Sequence, residues 1–305
     1  MNVDLACGEL AFVDLTFAQL DALPGPGEER HARDFLRSPG GAAITAIGAA
    51  RLGLDTALVS PIGADADGAL LRDALAAEGV RWAGREVSRT AVTAVLPVDG
   101  ERAMATFEPG EQVRAAELAA VAPGSVVLSL PRLALAPDGA ALYATVGDAD
   151  ATADALAPAN GLDHARALLV NAREARRMTG EDDTREAARR LAGRTPCAVV
   201  TCGAQGAVAA AGGDVVAAPA VPVHAVDTTG AGDLFTAAYV WADLHGAPLE
   251  ERLRWAVLYA ALSVRVATGV AGAADLEELA AAGERHGLGA PPSRAGSFPT
   301  SRRVP

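Results

Sequence analysis

Hydrophobic residues along the chain fall into two kinds of pattern, short apolar runs and longer stretches with helical spacing. The short runs predict buried strands over residues 3–7, 56–60, 125–130, 167–170 and 197–201. The stretches with helical spacing predict helices over residues 41–52, 66–78, 184–193, 231–244 and 249–268. Because strands and helices alternate, neighbouring strands should run parallel and be joined by crossover helices. The pattern therefore predicts an α/β fold with a doubly wound, mostly parallel sheet flanked by helices.

A second pattern interrupts this alternation. Residues 90–98 and 102–107 read as alternating strands on either side of Asp99-Gly100, which predicts a β-hairpin. Residues 30–36 are expected to add a further strand. Together these strands would form a small β-sheet lid, with lid segments at about 28–37 and 89–108.

The remaining stretches complete the predicted organisation. Residues 207–210 and 214–217 predict a second hairpin, whereas the pattern over 131–165 is too weak to assign. From Gly287 the chain is rich in Pro, Ser and Arg, which is typical of a disordered tail. We therefore expect one domain over residues 1–286 and a tail over 287–305.

Composition narrows the classes of function. The 305 residues carry a formal net charge of −12 and only 4% aromatic residues. Such an acidic chain repels nucleic-acid phosphates and anionic membrane surfaces, so neither is an expected partner. The three cysteines form no C-x-x-C pair, and no signal peptide or membrane-length apolar stretch is evident. A cytoplasmic protein with reduced thiols is expected.

The most informative motif lies between an extended segment and an apolar helix, where residues 226–235 read VDTTGAGDLF. Gly230 and Gly232 let a ligand approach the backbone closely. The helix start that follows offers free N–H groups and the positive end of a dipole, which together favour an anion. Asp233 places a carboxylate at the same point. No Lys-Ser or Lys-Thr follows the glycines, so the segment is not a P-loop.

Residues 227–233 resemble the second signature of the ribokinase-like, or PfkB, carbohydrate kinases. Other stretches resemble further motifs of that family in the family's order, and the resemblance covers roughly residues 3–270. These stretches are Gly40-Gly41 with 49–53 and 63–68, the Asn-x-x-Glu motif at 171–174, and the Gly-rich turn at 201–206.

The resemblance implies transfer of the ATP γ-phosphoryl group to an alcohol. Asp233 would be the catalytic base, and the N–H groups of Gly230, Ala231 and Gly232 would form the anion hole. Phosphoryl transfer depends on positioning and charge neutralisation more than on covalent help, so few catalytic side chains are needed.

The resemblance also implies the nucleotide and Mg²⁺ contacts. Thr201, Gly203 and Gly206 would line the nucleotide pocket together with the glycines of the anion hole, although an ordinary turn between strands would give the same letters. Asn171 would help place the phosphates, and Glu174 would place Mg²⁺ through water. The same pair also fits a helix-capping Asn with a Glu at the capping-box offset.

A third group of positions resembles the family's monovalent cation site. Asp227 and Thr229 match residues that help bind such an ion, here K⁺, in many members. A turn-stabilising Asp and Thr is the alternative.

Substrate contacts are expected from Asp14, Gly40, Gly41 and Thr45, beside Asp233. Asp14 is expected just after the first strand, where the family has an aspartate that accepts bonds from sugar hydroxyls; a solvated loop carboxylate is the alternative. The family usually carries an Asn shortly after the paired glycines. Alignment from Leu52-Gly53 puts Ile44 at that position, and alignment from Gly41 puts Thr45 there.

The expected enzyme is a kinase of a small sugar or sugar acid, with ATP and a sugar-like molecule as its partners. A nucleoside kinase of the same fold and a ligand-binding regulator that has lost catalysis remain the alternatives. Arg102 in the lid hairpin could neutralise a substrate phosphate or carboxylate, or could simply be solvated. Two subunits could pair through the lid as a homodimer, because sheet edges invite pairing.

Overall fold

A nine-stranded β-sheet forms the centre of the protein in a computed structural model, which describes residues 2–98, 101–157 and 160–293. The strands of the described chain are β1 (Leu5–Cys7), β2 (Ala11–Ala18), β3 (Asp34–Gly41), β4 (Thr56–Leu58), β5 (Ile62–Gly63), β6 (Arg81–Trp82), β7 (Glu86–Val87), β8 (Ala91–Val98), β9 (Glu101–Phe107), β10 (Ser125–Ser129), β11 (Ala141–Thr145), β12 (Ala165–Asn171), β13 (Cys197–Thr201), β14 (Ala207–Ala211) and β15 (Asp214–Ala218). The helices are α1 (Ala42–Arg51), α2 (Ala66–Ala77), α3 (Ala115–Ala120), α4 (Ala172–Thr179), α5 (Thr184–Ala192), α6 (Ala231–Leu244), α7 (Leu249–Ser263), α8 (Gly269–Gly272) and α9 (Leu276–Arg285).

The main sheet has the strand order β15-β14-β13-β12-β11-β10-β1-β4-β6. Its pairs are parallel from β13 to β6, and the β13-β14-β15 edge is antiparallel. Apolar side chains on the two faces of the sheet form separate core clusters, because helices cover both faces. The predicted doubly wound α/β fold is confirmed. The carboxyl ends of β1, β10, β11, β12 and β13 therefore lie along one edge, where such folds bind ligands.

A four-stranded sheet with the order β3-β2-β8-β9 forms the lid. The β8-β9 pair is the predicted hairpin, although its turn at Asp99-Gly100 lies outside the described residues. The prediction was wrong for the other two strands. The strand expected over 30–36 lies at Asp34–Gly41, and Ala11–Ala18 was missed altogether. Asp14 and Thr16 alternate with apolar residues in Ala11–Ala18, and both are buried.

Two other boundaries differ from the prediction. The helix expected over 249–268 ends at Ser263, and a short helix follows at Gly269–Gly272. Gly272 packs so closely that a Cβ there would lie 2.1 Å from the carbonyl oxygen of Ser263, which explains the glycine. Leu288, which the prediction placed in the tail, packs against the core. Residues 294–305 of the expected tail lie outside the described residues.

Helix α6 is buried along almost its whole length. Gly48 of α1 lets the two helices approach closely, because a Cβ there would lie 2.4 Å from Leu234. At the other end of α6, Asp243 accepts hydrogen bonds from Tyr143 at 2.5 Å and from Arg166, and it pairs with Arg252 at 2.6 Å. Burial alone would raise the pKa of Asp243, but the hydrogen bonds from Arg166 and Tyr143 hold it below its usual value. These contacts fix α6 against the sheet.

Among the described helices, none has both the length and the apolar character that crossing a bilayer requires.

Candidate active site

Two cavities meet at the start of α6. The first, of about 340 Å³, lies over the carboxyl ends of β1, β10, β11 and β12 and is closed by α1 and α6. The second, of about 450 Å³, lies between the turn after β13, residues 220–225 and α7. Thr201, Gly232 and Phe235 line both cavities, so one ligand can extend from the second cavity into the first.

The backbone at the start of α6 is arranged as the sequence motif suggests. Gly230 has φ +78°, and a Cβ there would lie 2.9 Å from Ile44, so only glycine suits this position. The first helical hydrogen bond runs from the amide of Leu234 to Gly230 at 3.0 Å. Ala231 donates its amide to Thr228 at 3.3 Å, a long bond that an anion could replace. A Cβ on Gly232 would meet no atom within 4 Å, which leaves room for a ligand against this turn.

Asp233 lines the first cavity one residue after Gly232. Thr45 donates a hydrogen bond to its Oδ1 at 3.2 Å, whereas Ile44 packs against Gly230. Thr45 is therefore the side chain that takes the position facing the cleft. Burial raises the pKa of Asp233 to about 6, against the lowering effects of Thr45 and Arg102. A carboxylate with a pKa near neutrality is well matched to accepting a proton.

Asp14 follows the first strand, as expected, but lies within strand β2, which the sequence did not predict. It is 6% exposed, which also excludes the solvated loop carboxylate. Gly40 on the neighbouring strand makes room for it, because a Cβ there would lie 2.3 Å from the Asp14 carboxylate. Burial and the charges of Asp233 and Asp227 raise the pKa of Asp14 to about 7. Asp14 stands close to Asp233 without lining the first cavity, whereas the following glycine, Gly41, with φ +57°, does line it.

Arg102 of β9 connects the lid with the loop before α6. Its Nη1 donates to Thr228 Oγ1 at 3.0 Å. The guanidinium also lowers the pKa of both Asp14 and Asp233 against the effect of burial. Arg102 is therefore at the cleft, although it is exposed to solvent.

Asn171 and Glu174 line the first cavity where β12 passes into α4. They form a capping box, in which Asn171 Oδ1 accepts from the Glu174 amide at 2.8 Å and Glu174 Oε2 accepts from the Asn171 amide at 2.8 Å. The helix cap that the sequence offered as an alternative therefore exists. It uses only one side-chain oxygen of each residue, so Asn171 Nδ2 and Glu174 Oε1 can still bind a ligand. Burial, with the charge of Asp148 adding to it, raises the pKa of Glu174 to about 7.

Asp227, Thr229 and Thr268 form a polar cluster beside the start of α6. Asp227 accepts the amides of Thr229 at 2.8 Å and of Thr268 at 3.0 Å. Thr268 has φ +70°, which is unusual for a β-branched residue. Thr229 Oγ1 is buried and has no hydrogen-bond partner in the described part of the chain. An orphaned oxygen beside a carboxylate is a donor set that suits a monovalent cation.

The second cavity is mostly apolar. Thr201, Gly203 and Gly206 line it, as the sequence suggests for a nucleotide pocket. Sequence reasoning missed the other walls, which are Ala220–Val223, Val257, Ala260, Ala261 and Val264. Small aliphatic residues carry no chemical signature in a sequence, and only the fold brings them together. Within the described residues, no group of three or more His, Cys, Asp or Glu side chains is placed to hold a metal by itself.

Sequence reasoning missed Cys7, Phe12 and Ser129 as side chains of the first cavity, and it offered Glu9 only as a fallback for the substrate carboxylate in case Asp14 does not hold the substrate. Cys7, Glu9, Phe12 and Ser129 all line the cavity. The signal for Glu9 was its position two residues after the end of β1, at the edge of the sheet where ligands bind.

Comparisons with known proteins agree with this arrangement. The model of the pfkB family carbohydrate kinases matches residues 4–273. Ribokinase of Bacillus subtilis is 31% identical over 261 residues, which are 80% of this chain and 87% of that protein. Fructokinase of Klebsiella pneumoniae is 32% identical over 251 residues, which are 72% of this chain and 80% of that protein. The structure of Arabidopsis thaliana ribokinase complexed with ribose and ATP has a TM-score of 0.76 at 25% identity, covering 92% of this chain and 99% of that one.

The raised pKa of Asp233 has a consequence for stability. The pKa moves from 3.8 to about 6 on folding, so the unfolded chain releases this proton at lower pH and the stability from this group falls as pH rises from 4 to 6. We expect Asp233→Asn to raise the free energy of unfolding at pH 8 by about 1 to 2 kcal/mol, a value reduced for screening by cavity water, and to give no gain at pH 4. Urea unfolding at both pH values measures this.

The exposed Asp138→Asn is the matched control and should change stability little at either pH. If Asp233→Asn is no more stable than the wild type at pH 8, the carboxylate is not desolvated in the folded protein.

Proposed function

Because the chain belongs to the pfkB family of carbohydrate kinases and is an ATP-dependent enzyme of that class, we propose that it transfers the γ-phosphoryl group of ATP to a hydroxyl of a small sugar or sugar acid. The observation that carries the proposal is the junction of the two cavities. Gly232 lines both cavities, and Asp233, the next residue, lines the first. A donor bound in the second cavity and an acceptor bound in the first would therefore meet at a carboxylate.

Asp233 acts as the general base. It accepts the proton of the acceptor hydroxyl as the hydroxyl oxygen forms its bond to the γ-phosphorus and the bond from that phosphorus to the leaving oxygen of ADP breaks. Thr45 holds the carboxylate by its hydrogen bond to Oδ1. The second oxygen of Asp233 is then the one that faces the substrate.

Charge that develops on the phosphoryl group meets the start of α6. The amides of Gly230, Ala231 and Gly232 lie at the positive end of the helix dipole, and the open space at Gly232 lets the group approach. Arg102 adds a positive charge from the lid, next to Thr228. The lid thus contributes to the anion site when it lies over the cleft.

The nucleotide would place its base in the apolar second cavity and its phosphates toward the first. Thr201, Gly203 and Gly206 line the second cavity, through which the nucleotide would extend. Asn171 Nδ2 and Glu174 Oε1 remain available at the far wall, which fits an outer contact to Mg²⁺ through water and to phosphate oxygens. Mg²⁺, when bound, neutralises phosphate charge.

Acceptor hydroxyls have several polar partners around Asp233. Thr45 offers a hydroxyl on α1 and Gly41 its backbone, and both line the first cavity. Asp14 offers a carboxylate on β2 just behind that wall, where Gly40 makes room for it. Two carboxylates that flank a sugar can each accept a pair of hydroxyls. We infer that Asp14 fixes the sugar while Asp233 activates one hydroxyl.

A nucleoside kinase remains the second candidate. The observation that favours it is Phe12, whose ring lines the first cavity and could stack on a base. A phosphotransfer panel of sugars, sugar acids and nucleosides distinguishes these acceptors. Ligand binding with no phosphotransfer would instead support the non-catalytic regulator.

The general base is tested by Asp233→Asn. We expect kcat with the best acceptor of the panel to fall by roughly 10² to 10⁴, the usual contribution of a general base, and the Kd of an ATP analogue to stay within about twofold. Steady-state kinetics and calorimetry measure the two quantities. Asp138→Asn serves as the control, and an Asp233→Asn enzyme that keeps more than half of the wild-type kcat would remove Asp233 from this role.

We also infer a K⁺ site at Asp227 and Thr229, supported by the orphaned Thr229 Oγ1. Turnover should be several-fold faster in potassium chloride than in tetramethylammonium chloride at equal ionic strength, because the ion would order the loop before α6. Asp227→Asn should abolish the difference, whereas the exposed Asp214→Asn should keep it. Equal wild-type rates in the two salts would exclude the site.

A homodimer through the lid is the last part of the proposal. Phe17, Phe35 and Phe107 lie on the lid face opposite Asp14 and are 38%, 48% and 36% exposed. Apolar area of this kind favours pairing of two copies. Sedimentation should give twice the 30.8 kDa mass of one chain, and Phe35→Glu should give the monomer. Leu276→Glu, at an exposed site on α9, should stay dimeric, and a monomeric wild type would contradict the inference.

A further inference from the structure

The first cavity has a polar end that the proposed reaction does not use. Glu9 lies in the three-residue connection between β1 and β2 and lines this end together with Ser129. Its Oε1 accepts the amide of Ser129, and its Oε2 accepts from Arg132 Nη1 at 2.7 Å. The same Nη1 donates to Ser129 Oγ at 2.9 Å. The carboxylate is therefore held in one orientation from two sides.

Glu9 still has hydrogen-bonding capacity. Each carboxylate oxygen has two lone pairs, and each makes one of these contacts, so one acceptor site remains on each oxygen. Burial raises the pKa of Glu9, and the charge of Arg132 opposes this effect. The Glu9 side chain is 19% exposed, and it lines the cavity. A fixed, partly desolvated acceptor in a cavity wall is suited to receiving hydroxyl groups.

Glu9 and Asp233 bracket the acceptor end of the cavity. Both carboxylates raise the pKa of the buried Cys7 thiol, after the larger effect of burial, so both lie within electrostatic reach of the end of β1. Asn171, by contrast, stands at the end of β12, three strand spacings from β1 in the sheet order. That separation is about 14 Å. The cavity therefore has a phosphate end at β12 and a separate end at Glu9.

The charges of the cavity wall limit what can occupy it. Its acidic lining residues are Glu9, Glu174 and Asp233, and no Arg, Lys or His from the described residues lines it. Arg132 pairs with Glu9 from behind the wall and does not line the cavity, so the carboxylate is the member of the pair that a ligand meets. Arg102 acts on Asp14 and Asp233, whereas the charges that act on Glu9 are Arg132 and Asp150. At the Glu9 end an acceptor carboxylate or phosphate would therefore face a like charge, whereas a neutral polyol would supply the donors that these oxygens lack.

We propose that Glu9 is a specificity-determining residue, which binds hydroxyls of a neutral polyol acceptor and makes the first cavity reject sugar acids and sugar phosphates. The inference rests on the proposed function, since it takes the first cavity as the acceptor site. It narrows the acceptor to neutral sugars.

A purely structural role for Glu9 makes a different prediction. If the carboxylate only ties the connection after β1 to Ser129 and Arg132, its replacement changes stability and leaves ligand selectivity alone. Glu117 provides the matched control, because it is also a partly buried Glu paired with an arginine, Arg85 at 2.8 Å, and it does not line the cavity.

The test is calorimetric titration of wild type, Glu9→Gln, Glu9→Asp and Glu117→Gln, with and without a non-hydrolysable ATP analogue. The probes are three matched pairs: D-galactose and D-galacturonate, D-glucose and D-glucuronate, and D-fructose and fructose 6-phosphate. Wild type should bind a neutral member at least about tenfold more tightly than its anionic partner, the worth of about one charged hydrogen bond.

Glu9→Gln removes the negative charge beside Arg132 and replaces one acceptor oxygen by an NH2 donor, so it should weaken the neutral sugar by about tenfold and bring the ratio of the two affinities close to one. Glu9→Asp keeps the negative charge, but its shorter side chain moves the carboxylate oxygens away from the ligand. It should therefore lower the affinity for the neutral sugar and still bind the sugar acid more weakly than the neutral sugar. Glu117→Gln should match the wild type. Circular dichroism of each variant shows that it is folded, and Glu9→Asp keeps the test valid if Glu9→Gln does not fold.

Two outcomes would overturn the proposal. One is a wild type that binds no neutral member of the panel or prefers the anionic ones. The other is a folded Glu9→Gln or Glu9→Asp variant with wild-type affinities for every probe. Because binding is read without turnover, an absence of phosphotransfer refutes the proposed function separately and leaves this result standing.

Discussion

The fixed position of helix α6 is the constraint on which the site depends. The helix is held by close packing against α1 at Gly48 and by the contacts of Asp243 with Tyr143, Arg166 and Arg252. The Asp243 carboxylate is 1% exposed, so each of these partners compensates a charge that burial makes costly. Because these contacts hold both the first half and the end of the helix, they fix where its first turn presents the Gly232 backbone and the Asp233 carboxylate. The two cavities meet at this turn, because Gly232 lines both of them.

The cleft around this point concentrates negative charge. Burial raises the pKa values of Asp14 and Glu174 to about 7 and that of Asp233 to about 6, and neighbouring carboxylates add to the effect in each case. Arg102, carried by the lid, opposes it at Asp14 and Asp233. These carboxylates are costly to keep charged in an empty cleft. A ligand that supplies hydrogen-bond donors or cations therefore stabilises their charged forms. The same electrostatics that suits a polyol acceptor disfavours an anionic one.

Much of this arrangement could be predicted from the sequence where local physics determines it. The extended segment, turn and helix around 226–244 identify the anion site. Two glycines followed by an aspartate at a helix start combine close backbone approach, free amides and a carboxylate at one place. The capping relation between Asn171 and Glu174 likewise depends on spacing alone. Substrate and ion roles for these residues stay predictions, since their positions fit such roles without testing them.

Other parts depend on contacts that no local pattern contains. Strand β2 was missed because polar Asp14 and Thr16 interrupt its apolar pattern, although they are 6% and 1% exposed within the lid sheet. The choice between Ile44 and Thr45 required the observed packing of Ile44 on Gly230. The apolar second cavity is assembled from alanines and valines of three separate segments. The fixed orientation of Glu9 depends on Arg132, which is far away in sequence.

The central claim is that Asp233 and the Gly232 backbone meet the reacting groups at the start of α6. A crystal structure with Mg²⁺, ADP, aluminium fluoride and the acceptor found by phosphotransfer tests it most directly. The account predicts the acceptor hydroxyl within hydrogen-bond distance of the Asp233 carboxylate, about 2.6 to 3.2 Å. It also predicts the phosphoryl mimic against the amide of Gly232. An acceptor hydroxyl bound out of reach of Asp233, or a mimic bound away from the first turn of α6, would contradict it.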